Sequence, residues 1–263
     1  MNKRASEVAN GRHVAVVGAG LVGAGWAIVF ARAGLEVRIF DSNGKIAAGV
    51  MSFIEAQLVE MEQYDLIEDP ASVLKRLSVS PSLAHAVQGA IYVQESVLER
   101  VEIKRDVMSQ LQSVVAPDAV IGSSTSGIGA SRFTDGMPIA PQVLVVHPVN
   151  PPHLVPVVEL VPSPATSKAS LDFAKEFIEA VGQSVVLVNK EVEGFVLNRL
   201  QGVLLREAWS LVQDGVASSE DIDKTVRDGL GWRWAFMGPF ETIDLNAPGG
   251  VADYAVRLGP LYQ

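Results

Sequence analysis

The chain has 263 residues, 48% apolar and 19% charged, and 21 basic against 30 acidic residues give a formal charge of −9. That apolar content excludes a disordered chain and supplies a sizeable core, and at about 150 residues per domain the length fits one large domain or two smaller ones. The acidic balance argues against a nucleic-acid binder, which needs a basic face, and the absence of cysteine excludes disulfides, thiolate metal sites and cysteine nucleophiles and fits a reducing compartment such as the cytoplasm.

Residues 1–11 read as a polar, mobile tail. From Val14 to Ala31 no residue is charged, and Lys3, Arg4 and Arg12 precede the run, so a hydropathy window alone would suggest a signal peptide or a membrane span. Gly18, Gly20, Gly23 and Gly25 argue otherwise, because each weakens a continuous helix by about 1 kcal/mol relative to Ala. The stretch parses better as a strand (His13–Val17), a glycine turn and a helix (Leu21–Ala33) closed by Gly34. No other stretch is long and apolar enough to span a bilayer. Glu36–Phe40 is the next strand, and helical segments fill 44–62. Ala90–Glu95, Ala119–Thr125, Gln142–Val149, Val157–Val161 and Ser184–Val188 read as further strands. Glu99–Ser113 and Ser170–Val181, the latter ending at Gly182, read as helices. Such alternation predicts an α/β fold with a mostly parallel sheet covered on both faces. After Lys190 only helical signals remain. Phe195–Asp214 is apolar along one side and ends at Gly215, and Ser218 with Asp221 resembles a capping box opening a helix through Asp228. The expected organisation is a sheet domain over 12–190 and a smaller all-α domain over 191–263.

Gly18-Ala19-Gly20-Leu21-Val22-Gly23 has GxGxxG spacing. Its context makes it informative: a strand before, a helix after, and Asp41 ending the next strand roughly 20 residues on. Gly18 makes the turn, Gly20 lets backbone approach a pyrophosphate, and Gly23 lets the helix lie close to the strand. The free N–H groups of Leu21 and Val22 suit an anion. Asp41 can accept from both ribose hydroxyls and would repel a 2′-phosphate. No arginine follows it, so NAD is favoured over NADP. The fold is then a Rossmann-type, doubly wound sheet.

His147 ends an apolar strand, and ligands of open α/β sheets bind beyond the carboxyl ends of strands. The proline-rich turn after it delivers Val157–Val161, in which Glu159 is an acid on an apolar strand, costly unless partnered. If the two strands run antiparallel, Glu159 meets His147, fixes its tautomer and leaves the other ring nitrogen for substrate. Ser126, at the carboxyl end of another strand, and Asn198, on the first turns of the long helix, could each donate to an alcohol or carbonyl oxygen. His13 and His85 read as packing or solvated imidazoles, and His153 lies in the proline-rich loop.

Gly18–Gly23, Asp41, Glu99 with Lys104, Ser124-Thr125-Ser126, His147-Pro-Val-Asn150, Glu159 and Gly194-Phe195-Val196-Leu197-Asn198-Arg199 together resemble the L-3-hydroxyacyl-CoA dehydrogenase superfamily. HPVNPPHLVPVVELVP (147–162), KEVEGFVLNRLQ (190–201) and GLGWRWAFMGPFET (229–242) are similar to its lambda-crystallin / L-gulonate 3-dehydrogenase branch. The resemblance covers about residues 12 to 260. It implies hydride transfer between NAD and the 3-hydroxyl of an acid or acyl substrate. His147 would be the base, oriented by Glu159, with Ser126 and Asn198 holding the reacting oxygen and Asn150 supporting. Glu99 and Lys104 would join Gly18, Gly20, Leu21, Val22, Gly23 and Asp41 at the cofactor. Arg233 is similar to the branch's candidate for a substrate carboxylate, which its guanidinium fork suits. The helical domain would complete the cleft and pair two subunits. The chain departs from the pattern in three ways. Residues 51–70 carry Glu55, Glu60, Glu62, Asp65, Glu68 and Asp69 where coenzyme-A enzymes carry lysines, Glu193 stands where relatives usually have Pro or Ala, and the sequence ends sooner than the resemblance leads one to expect, a C-terminal helical piece being missing or naturally absent. The resulting expectation is a dehydrogenase of a small free 3-hydroxy acid such as L-gulonate, acting as a homodimer without nucleic acid, membrane or metal. The alternatives are a 3-hydroxyacyl-CoA dehydrogenase of fatty-acid breakdown and an NAD-binding structural protein with little turnover.

Overall fold

The computed structural model describes residues 4–262. Eight strands form one sheet in the order β3-β2-β1-β4-β5-β6-β7-β8. They are β1 (Val14–Val17), β2 (Val37–Phe40), β3 (Leu77–Val79), β4 (Tyr92–Glu95), β5 (Val120–Ser123), β6 (Val143–Pro148), β7 (Val157–Pro162) and β8 (Ser184–Leu187). All neighbours run parallel except β6 and β7, which pair antiparallel. The chain leaves β1 outward to β2 and β3, then returns to place β4 on the other flank of β1. This reversal opens a crevice at the carboxyl ends of β1 and β4, where such sheets bind ligands.

The central strands are buried on both faces, which is why they read as unbroken apolar runs. Successive residues of a strand face opposite sides. Val14 and Val16 accordingly pack with Trp26, Phe30, Ile54 and Phe177, whereas Ala15 and Val17 pack with Met108, Ile121, Phe133 and Phe195. Helices Leu21–Arg32, Gly44–Gln63 and Lys168–Ala180 close the first layer, and Val101–Leu111 and Ser131–Thr134 the second. Aromatic contacts fix the first layer: Trp26 stacks on Phe30 at 5.2 Å between ring centres, Phe30 meets Tyr92 edge-on at 5.8 Å, and Tyr92 meets Phe177 at 4.7 Å.

Three expectations need correction. The polar tail is docked over its described part: Ala5–Val8 is a helix whose Ala5, with Ala9, is buried in the first layer. Small side chains let it sit close to the core, which a reading for polarity does not register; residues 1–3 lie outside the described residues. The three-residue β3 was not anticipated, because a short edge strand leaves no alternation to see. The helix expected from Glu99 begins at Val101, and Glu99 stands free of it in the preceding loop.

The chain divides into two compact units after Arg199. The second is helical, with Ser219–Lys224, Gly231–Trp234, Pro239–Asn246 and Gly250–Leu258, and a π-helical turn over Thr225–Leu230. The division falls beyond 190 because the turn leading into helix Leu197–Gln213 is hydrogen-bonded to β7. Among the described residues no helix is long and apolar enough to cross a membrane.

Candidate active site

β1 ends at the glycine turn. Gly18 has φ +97°, and a Cβ there would lie 2.5 Å from the Ser96 carbonyl oxygen. A Cβ on Gly23 would fall 1.8 Å from the Gly18 carbonyl oxygen, so the helix rests directly on the turn. Gly20 differs: it caps the helix, and nothing lies within 4 Å of where its Cβ would be. That open space faces the first helical turn, whose Leu21 and Val22 N–H groups have no acceptor within the helix. Asp41, at the end of β2, is held at the same place. Its Oδ2 accepts from the Ala19 amide at 2.8 Å and its Oδ1 from the Asn43 amide at 2.8 Å. An unobstructed helix N-terminus beside a fixed carboxylate suits a pyrophosphate and a ribose diol.

In the β6–β7 ladder His147 lies directly opposite Glu159. Nδ1 of His147 is 2.7 Å from Glu159 Oε2, and both residues are buried. The other oxygen, Oε1, accepts from the amides of Val196 at 2.8 Å and Leu197 at 2.9 Å, at the start of helix Leu197–Gln213. Burial pushes the Glu159 carboxyl up, but the hydrogen bonds from His147, Leu197 and Val196 outweigh it and hold the group below the usual carboxylate range. Phe195 covers the imidazole at 5.6 Å between ring centres. With Nδ1 engaged, Nε2 is the nitrogen that the pair leaves uncommitted.

A second cluster gathers beyond β4 and β5. Oε1 of Glu99 accepts from Thr125 Oγ1 at 2.6 Å, the Ser126 amide at 2.9 Å, Ser126 Oγ at 3.3 Å and the Gly127 amide at 3.3 Å. Its partial burial acts upward, but the Thr125 hydroxyl, the Lys104 ammonium and those amides bring its carboxyl below the ordinary value. The Asn198 amide donates to the Ser126 carbonyl at 2.7 Å. Glu99, Ser126 and Asn198 therefore form one connected group, although the sequence reading had set Glu99 at the cofactor and the other two at the reacting oxygen.

Lys104 stands differently from the expectation. It is buried, and its Nζ lies 3.0 and 3.1 Å from the two oxygens of Glu95 and 3.5 Å from Glu99 Oε2. Its ammonium thus meets the exposed part of the cluster through Glu99. Glu95 was not singled out, although it carries the signal that identified Glu159: an acid inside an apolar strand. Asn150 is exposed on the loop after β6, at a cis Asn150–Pro151 bond. Arg233 is exposed within the second unit. His13 bonds the Ala86 carbonyl at 2.9 Å and His85 the Ser80 hydroxyl at 3.2 Å, both structural contacts. His153 is buried against Gly25, and neither ring nitrogen has a partner among the described residues. Burial, with Arg32 nearby, keeps its imidazole below the usual histidine value.

Comparison with known proteins gives the family. The model of the 3-hydroxyacyl-CoA dehydrogenase NAD binding domain matches residues 13–192, and that of the corresponding C-terminal domain matches residues 194–260. Lambda-crystallin of Oryctolagus cuniculus is 42% identical over 239 residues, covering 90% of this chain and 75% of that protein. An L-carnitine dehydrogenase of Streptomyces coelicolor is 38% identical over 252 residues, covering 95% and 79%. Among solved structures, 5-formyl-3-hydroxy-2-methylpyridine 4-carboxylic acid 5-dehydrogenase, an NAD+-dependent dismutase, aligns with a TM-score of 0.83 at 29% identity, covering 95% of this chain and 80% of that one.

Proposed function

This chain belongs to the 3-hydroxyacyl-CoA dehydrogenase family and is an NAD-dependent oxidoreductase; from that premise we propose that it oxidises the 3-hydroxyl of a small L-3-hydroxy acid, of the L-gulonate type, to the 3-oxo acid. The observation that carries the proposal is the buried His147–Glu159 pair at 2.7 Å. In the forward direction Nε2 of His147 takes the hydroxyl proton. Glu159 holds the imidazole in the tautomer that leaves Nε2 free and stabilises it once protonated. The Ser126 hydroxyl and the Asn198 amide hold the reacting oxygen, with Asn150 supporting; Arg233, by itself in the second unit, is the candidate for a substrate carboxylate. NAD would supply the acceptor for the hydride that leaves the same carbon as its carbonyl forms. Leu21 and Val22 amides, the glycines Gly18, Gly20 and Gly23, Asp41 and Glu99 hold it, with Lys104 acting from behind Glu99.

Preference for a free acid rests on two supports. One relative is an L-carnitine dehydrogenase, and the acids of 51–70 (Glu55, Glu60, Glu62, Asp65, Glu68, Asp69) are all exposed, a surface that repels the phosphates of a coenzyme-A thioester. The partner is a second copy of this chain. Helix Leu197–Gln213 has no buried residue, and Val203, Leu205, Trp209 and Val212 are exposed along it, an apolar surface that a homodimer would cover.

The test is NADH formation with L-gulonate, 3-hydroxybutyrate and 3-hydroxybutyryl-CoA. A free acid should give the highest kcat/KM, and a thioester that outruns both acids refutes the assignment. His147→Ala should lower kcat about 10²–10⁴-fold in a folded protein.

A further inference from the structure

Glu95 takes no part in the chemistry above, yet its side chain is the most enclosed acid in the first unit, with 0% exposure. Its carboxylate faces Lys104 through both oxygens and also accepts from the Ser123 hydroxyl and the Val97 amide. Lys104, 1% exposed, bridges on to Glu99. Two carboxylates share one ammonium, so the trio carries a formal charge of −1. It is enclosed on the Glu95 side and opens only at Glu99, whose side chain is 42% exposed. Removing a buried charge from water is costly, and one ammonium between two acids leaves that charge uncompensated. A neutral pair would have sufficed to hold the loop.

Where the charge lies decides what it acts on. Glu99 is hydrogen-bonded to both the amide and the hydroxyl of Ser126. On the function proposed above, on which this inference rests, Ser126 holds the reacting oxygen. Hydride passes only between atoms in near contact, so the nicotinamide ring must lie against the carbon bearing that oxygen, within the field of the trio. That ring is a cation when oxidised and neutral when reduced. We infer that the Glu95–Lys104–Glu99 trio sets the redox preference of the cofactor site: its net negative charge holds NAD+ more tightly, relative to NADH, than a neutral site would. Glu95 is a positioning residue in this device. It occupies Lys104 and so leaves the charge of Glu99 unspent towards the cofactor.

The prediction is that the ratio of the two dissociation constants follows the formal charge of the trio rather than the presence of any one residue. NADH binding is read by its fluorescence and NAD+ binding by displacement, on the full chain, with thermal melting to check folding. Glu95→Gln makes the trio neutral; NAD+ should bind about three- to tenfold more weakly while NADH changes less than about twofold. Glu95→Gln with Lys104→Met restores −1, and the ratio should return to that of the unaltered protein. Adding Glu99→Gln to that pair makes the site neutral again and should weaken NAD+ relative to NADH once more, which keeps the test available where the single variant does not fold. An unchanged ratio in folded Glu95→Gln, or the same shift in the single and double variants, overturns the inference. Failure of the unaltered protein to bind either form overturns instead the cofactor assignment beneath it.

Discussion

Glu159 combines burial with a full set of donors. It accepts from His147 and from two backbone amides, and these hold its carboxyl below the usual range against the upward push of burial. A folded-state value below the unfolded one means stabilisation that is complete above the unfolded carboxylate value, about 4.3, and is lost as pH falls through the folded value. Glu159→Gln should therefore cost about 1–3 kcal/mol near neutrality, and thermal melts should show the gap from the unaltered protein closing as pH drops below about 4.3. The imidazoles of His13 and His153, both pulled down chiefly by burial, lose their stabilisation from about pH 6.5 downward. They do so equally in both proteins, so these two imidazoles cancel from the difference. At this scale the sequence was legible where a residue contradicted its surroundings. His147 and Glu159 stood out as polar groups on apolar strands. Glu95 made the same contradiction and was passed over because it ended its run, where an acid looks like the start of a loop. The burial of Lys104 was hidden because lysines on helices are ordinarily solvated.

Among the elements, the β1–turn–helix unit was read correctly for a physical reason. Its glycines are required by contacts only a missing Cβ allows, and these leave a spacing in the sequence. Gly23→Ala would set a methyl group 1.8 Å from the Gly18 carbonyl. The helix must lift from the strand, and we expect NADH binding, read by fluorescence, to weaken at least tenfold with a lower Tm; binding within about twofold of the unaltered protein would contradict the close approach. The antiparallel return of β6 into β7 stood as a condition across the prolines between them, and the structure has it, with His147 opposite Glu159. By contrast, β3 and the helix Ala5–Val8 are three and four residues long. Elements this short are selected by the surface they dock on, and no period reveals them in advance.

For the whole molecule, alternation gave the parallel sheet and its cessation gave the helical part. What the helical part does was legible only through family resemblance. Its helices bury little, and Trp209, Phe240 and Leu245 are exposed to 66%, 76% and 74%. Surfaces of that kind are uncommon on monomers. Sedimentation should give twice the chain mass at micromolar concentration, and Trp209→Glu should shift the population toward monomer. A protein that stays monomeric at all concentrations would remove the second copy from the account.

The two oxygens of Glu159 serve different masters: one steers the imidazole, the other pins the backbone just ahead of Asn198. On the proposed function, proton handling and the placement of the amide assigned to the substrate are thereby yoked to a single side chain. No substitution at this position can adjust one without disturbing the other, so anyone re-tuning the acid–base behaviour of this scaffold should work from the imidazole's opposite flank, around Phe195, and leave the carboxylate alone.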